Sequence, residues 1–326
     1  MKLATYLHHG QQRIGIVHGG DSRLFDLADA AERDGTARDC FASMLELIDA
    51  GDAALDLARS LFERRAAQEG LNHDLAAVRL LSPVPVPRQM RGFTNFDGHL
   101  GRAPLGVKRL LARLKGEEPP PLPEKVEVPA INRERPIYLK TNRYSVIGTD
   151  TDIRWPRFAH YMDYELECGF FLGRGGVDIK AGKALEHIFG YTIFNDISAR
   201  DEQVVEMQGH LGPAKGKDFD TGNVIGPWLV TRDELPDIRT RRMTAHVNGE
   251  LRADTNMSDG VFTFEEMIAF VSRDETLHAG EFISGGTVTG GSGLEFDRYL
   301  ADGDLMEFTI DGIGTLRNHI VKPRHD

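Results

Sequence analysis

The chain has 326 residues, 40% hydrophobic and 27% charged, the balance of a globular protein long enough to bury a large core. Its net charge of −11 argues against a nucleic-acid binder, and the lack of a long apolar run argues against a membrane-spanning helix. Cys40 and Cys168 are too isolated for a disulfide framework or a thiolate zinc site, and the start lacks a secretory signal's apolar core, so a cytoplasmic location is expected.

Residues 1–20 read as a hairpin, KLATYL and RIGIVHG around a turn at His9-Gly10. Residues 39–69 carry apolar residues at helical spacing, and Gly51-Asp52 breaks them into two helices. The proline-rich Ser82–Arg88 is a stiff extended connector. It sets a boundary between a small N-terminal α+β domain, 1–82, and a larger domain, 83–326. After a short strand, MRGFTNF, a basic helix over Val107–Lys115 lies between proline- and glycine-rich flanks. It is either a solvated surface element or a lid over a site.

From Pro136 onward the pattern is mostly strands: IYLKT, ELECGFF, YTIFND, PWLVT, MTAHV, EFISGGT, LMEFTI and GTLRNHIV. Asn248-Gly249 signals a hairpin. Short helices are expected over Ala181–His187, Ala199–Gln208 and Phe264–Ser272, the second started by a capping box at Ser198 and Asp201. The architecture is therefore α+β, β-rich and mixed rather than doubly wound.

Chemistry concentrates in DYELE and YTIFND. Alternation along a strand puts Asp163, Glu165 and Glu167 on one face and Tyr164, Leu166 and Cys168 on the other. Buried like charges need a remedy, and a hard divalent cation that collects carboxylate oxygens is one. Glu165 and Glu167, with Asp196 at the end of the next apolar run, read as a metal site; the alternative is a solvated face. If Ser198 caps a helix, Arg200 and Gln203 share a face beyond Asp196, where the guanidinium either grips a substrate carboxylate or pairs with Asp201 or Glu202. Lys217, in a glycine-flanked loop, either balances three carboxylates or is simply solvated, and Thr221 is within reach of a role in hydrogen-bonding a substrate oxygen. The glycine run from Gly285 offers backbone N–H groups to an oxyanion or is a plain turn; Glu295 ends it. His99, in NFDGH, would be presented by a loop, either as a general base or as one of twelve histidines that is merely on the surface.

Taken in order, DYELE, NDISARDEQ, GKDFDTGNVIGPWLVT, GGTVTGGSGLE and GDLMEFTIDGIGTLRNHIV resemble the fumarylacetoacetate hydrolase superfamily over about residues 88–321. The resemblance implies a mixed β-roll fold, a homodimer and a bound Mg²⁺ or Mn²⁺, sometimes Ca²⁺. It assigns Glu165, Glu167 and Asp196 as metal ligands, Arg200, Gln203 and Thr221 as substrate-binding, and Lys217 as the lysine of the same motif. His99 and Glu295 match the dyad that activates water, and Lys140 a lysine frequent in that strand. One departure stands out: Asn95 falls where fumarylacetoacetate hydrolases proper carry a further metal-ligating aspartate, and Asp97 is displaced by two.

The activity this implies is hydrolysis of a carbon–carbon bond in a small 1,3-diketo acid such as an acylpyruvate. His99 activates water, Lys217, Gln203 and amides near Thr287 hold the oxyanion, and the metal stabilises the departing enolate. The same site also suits β-keto acid decarboxylation, enol-acid hydration or tautomerisation. A carboxylate-rich protein with a structural role is the non-enzymatic alternative.

Overall fold

Three runs, Leu166–Leu172, Ile188–Asp196 and Asn223–Thr231, are buried at every position, as strands covered on both faces must be. They lie side by side in the centre of a sheet in this computed structural model, which describes residues 1–36, 38–122 and 127–323. Ile188–Asp196 pairs antiparallel with both neighbours, and the register sets Leu166 opposite Asn195 and Asp196 opposite Asn223. Phe282–Ser284 and Met90–Thr94 extend the sheet on one side, the latter pair running parallel.

On the other side the N-terminal hairpin joins directly: Lys2 pairs with Val230 and Leu3 with Leu229. Strands from before and after the proline connector therefore share one sheet, for a total of 12 strands. The hairpin turns at His9-Gly10 and Asn248-Gly249 all take positive φ, the twist that two-residue loops need. Ser43 caps the Met44–Arg65 helix through the Glu46 amide, and Gly51, at φ 66° and ψ −151°, breaks it into two segments, as its sequence position suggests.

A second sheet of five strands, built around Met243–Val247, Leu305–Ile310 and Gly314–Val321, packs on the first through a core that includes Ile193, Trp228, Ala245, Phe308 and Leu316. The N-terminal helices cover the opposite face, where Leu47, Ile48 and Leu61 meet Phe171, Phe194, Ile225 and Phe282. This mixed, β-rich α+β sandwich is the expected class. Among the described residues no helix is long and apolar enough to cross a membrane.

Two local expectations are corrected. The basic helix runs over Asp97–Leu114, with Pro104 inside it, so His99 belongs to its first turn and not to a loop. Leu110 is buried while Leu114 is exposed, so the helix packs along part of its length. Residues 123–126 of the lid segment lie outside the described residues. The Arg200–Glu206 helix starts after Ala199 with no side-chain cap. Ser198 instead pairs as a strand residue with Asp163, and its hydroxyl donates to the Asp196 carbonyl.

Candidate active site

Glu165 and Glu167 lie at the start of one central strand and Asp196 at the end of its neighbour, so register alone brings them together. One carboxylate oxygen from each falls within 4.8 Å of the others. None is solvated: their residues are 5%, 2% and 4% exposed.

The surroundings answer part of this charge. Lys217, itself buried, places Nζ 2.8 Å from Glu165 and 2.7 Å from Asp196. Arg200 Nη2 sits 2.7 Å from Glu165 Oε1. Burial pushes Glu165 up, but Lys217 and Arg200 outweigh it and hold its carboxyl well below the usual range. Glu167 goes the other way, raised by burial and by the negative charges of Asp196 and Glu165, although Ser284 and Thr287 both donate to it. Asp196 is pushed up to about 6 by burial that Lys217 only partly offsets. Lys217 is raised, since its two carboxylates outweigh the desolvation.

A divalent cation fits this donor set. Counted as ionised, Asp163, Glu165, Glu167 and Asp196 face only Arg200 and Lys217 in the buried cluster, leaving two negative charges. Asp196 Oδ1 is buried with no hydrogen-bond partner, an arrangement costly without a ligand. All donors are hard oxygens, which suit Mg²⁺, Mn²⁺ or Ca²⁺. The Asn95 segment adds no fourth carboxylate. The Asn95 amide is bound to the Phe262 main chain, and Asp97 points to Arg133.

The second half of the site joins two distant segments. His99 Nδ1 lies 2.9 Å from Glu295 Oε1, and both residues are buried. Glu295 is in the short Gly293–Phe296 helical turn, and its other oxygen accepts from the Gly290 amide at 2.9 Å. The helix carrying His99 docks closely on this turn. A Cβ at Gly106 would come within 2.2 Å of the Leu294 carbonyl oxygen, and Arg109 and Arg113 both pair with Asp297.

The remaining candidates separate. Thr287 reaches the cluster and donates to Glu167 at 3.1 Å. Gln203 is buried beside Arg200, whose Nη1 donates to its Oε1 at 2.8 Å. Arg200 turns inward: Nε donates to Asp163, Nη1 to Gln203 and Nη2 to Glu165, so its guanidinium ties two buried carboxylates to Gln203. It pairs with neither Asp201 nor Glu202. Thr221 gives its hydroxyl oxygen to the Arg154 amide at 2.8 Å. Lys140 is on an outer strand, largely exposed and 3.6 Å from Glu275. Asp163, placed on the acidic face by the sequence but given no role there, proves fully buried between the two halves. Its place in the D-x-E-x-E alternation was the available signal.

Residues 101–321 match the family profile of the fumarylacetoacetate hydrolase C-terminal domain. The chain belongs to the fumarylacetoacetate hydrolase family. Among its curated relatives is oxaloacetate tautomerase YisK of Bacillus subtilis, 30% identical over 98% of this chain and 100% of that protein. The family fold is shared with the solved fumarylacetoacetate hydrolase of Exiguobacterium antarcticum, at 27% identity and a TM-score of 0.73, covering 99% of this chain and 100% of that one. A 5-carboxymethyl-2-hydroxymuconate delta-isomerase from Mycobacterium smegmatis, 24% identical with a TM-score of 0.68 over 99% and 100% of the two chains, shares the fold.

Proposed function

We propose that this member of the family is a divalent-metal enzyme of small α-keto acids that carry a second acidifying group on the adjacent carbon, interconverting keto and enol forms of an oxaloacetate-like dicarboxylate. The observation that carries this reading is the buried His99–Glu295 contact, 2.9 Å long, tied to the acidic trio through Asp163 and Arg200. The full-length similarity to an oxaloacetate tautomerase supports it.

Glu165, Glu167 and Asp196 would hold the divalent cation, which when bound would supply Lewis-acid polarisation of a substrate carbonyl. Glu295 accepts from Nδ1 of His99, which fixes the ring and leaves Nε2 as the base. That nitrogen takes a proton from the substrate carbon, or from the enol hydroxyl, and returns it to the other position. Lys217 keeps Glu165 and Asp196 ionised by its charge. Gln203, with its Oε1 engaged by Arg200, has its amide N–H groups left for a developing oxyanion. The Gly286 and Thr287 amides, which donate to nothing among the described residues, are further donors for that charge.

A second reading, hydrolysis of a carbon–carbon bond in an acylpyruvate-like diketo acid, is favoured by the same dyad, since a histidine oriented by a carboxylate also deprotonates water. One assay separates the two. Loss of enol absorbance from oxaloacetate, sensitive to EDTA and without release of pyruvate or CO₂, supports tautomerisation. Cleavage of acylpyruvates to pyruvate supports hydrolysis, CO₂ from oxaloacetate identifies a decarboxylase, and inertness towards both substrates leaves a structural metal binder.

A further inference from the structure

The acidic trio and the dyad occupy different segments, yet one buried carboxylate links them, through Arg200 on one side and the turn carrying Glu295 on the other. Asp163 Oδ1 accepts from the Gly293 amide at 2.8 Å, and Oδ2 from the Leu294 amide at 2.9 Å. These amides open the turn that carries Glu295, and Ser292, at the turn's N-cap, makes no side-chain cap. Asp163, 130 residues away in sequence, does that work instead. The same Oδ2 accepts from Arg200 Nε at 2.8 Å, and Arg200 continues to Glu165. The close approach depends on Gly293, because a Cβ there would lie 2.6 Å from Asp163 Oδ1 and 1.9 Å from the Arg298 carbonyl oxygen.

We propose that Asp163 is a positioning residue that couples the trio to the dyad, so that a divalent cation at Glu165, Glu167 and Asp196 tightens the turn presenting Glu295 to His99. The proposal rests on the reading of the trio as a cation site. With four carboxylates sharing two cations, mutual repulsion is relieved by small separations of the strand from the turn that hangs on it. A dication cancels the excess charge, and Asp163, Arg200 and the turn settle into one arrangement. Coupling of this kind is reciprocal, so an ordered turn also favours the ion.

Hydrogen exchange on the full chain, with and without Mg²⁺ or Mn²⁺, tests this without reference to turnover. In the wild type the ion slows exchange in the peptides holding 163–167 and 193–198, and also in 290–297, which contributes no ligand. In Asp163→Asn the ligand peptides still respond and 290–297 does not. The turnover number of the variant falls by about a hundredfold through misplacement of the dyad, while KM stays close to wild type and the ion binds more weakly, as reciprocity requires. A wild-type turn indifferent to the ion, or a turn that responds equally in the variant, overturns the coupling. Should Asp163→Asn not fold, Asp163→Ser is read by the same criterion beside the wild-type arm. If no peptide responds to either ion, the cation site itself is wrong, a result distinct from loss of coupling alone.

Discussion

Lys217 Nζ lies 2.7 Å from Asp196 Oδ2, while the other oxygen of the same carboxylate is buried with no partner. One side of Asp196 is thus neutralised from within the chain, and the other is left for a ligand of positive charge.

Removing that internal cation exposes the imbalance. Lys217→Met should destabilise the metal-free protein by about 3–5 kcal/mol, the usual cost of stranding buried charges. Excess Mg²⁺ or Mn²⁺ then neutralises part of the stranded charge, so the ion should raise Tm more in the variant than in the wild type. Thermal unfolding with and without the ion measures both. An ion-induced rise in Tm no larger than the wild type's contradicts the shared-charge account.

The dyad should behave as one device. His99→Ala is expected to lower kcat by about 10²–10⁴-fold, the range for a lost general base, and Glu295→Gln by less. The double variant should be no worse than His99→Ala alone, because residues acting as a unit are not additive. Calorimetric ion affinity should persist in all three. Steady-state kinetics decide the matter: multiplying effects mean that the two residues act separately.

Docking of the His99 helix offers a test remote from the chemistry. Gly106→Ala puts a methyl group 2.2 Å from the Leu294 carbonyl oxygen, which backbone must move to accept. Overpacking of this kind costs about 1–3 kcal/mol. The helix should shift off the turn, so kcat/KM should fall further than the loss of stability explains. Retained activity with lowered Tm would show that the dyad tolerates the movement.

The strands around the N-terminal hairpin carry a titration of their own. His73 stacks near His8, with ring centroids 4.3 Å apart, and burial together with the neighbouring His8 lowers its pKa from 6.5. The unfolded chain therefore takes up the proton first as pH falls. The stability that the neutral ring contributes is complete above pH 6.5 and is lost as pH drops through the lower folded value. Tm should decline over this window in the wild type and less steeply in His73→Gln; equal slopes would assign the decline to other groups.

The sequence by itself determined the strands, the two positive-φ hairpins, the break at Gly51 and the gathering of Glu165, Glu167 and Asp196. These follow from local rules: side-chain alternation, turn chemistry, and the cost of burying like charges. Only the tertiary structure decided that His99 sits in a helix turn and that Arg200 faces inward to Asp163 and Glu165. The same holds for the neighbours of Thr221 and Lys140, the Arg154 amide and the Glu275 carboxylate. It also decided that the N-terminal hairpin continues the main sheet through the pairing of Lys2 with Val230. Apart from the helix turn, such facts depend on contacts between segments 35 or more residues apart in sequence. Spacing along a strand says which side chains share a face, but the partner a charged group finds there is set by the packing of distant segments.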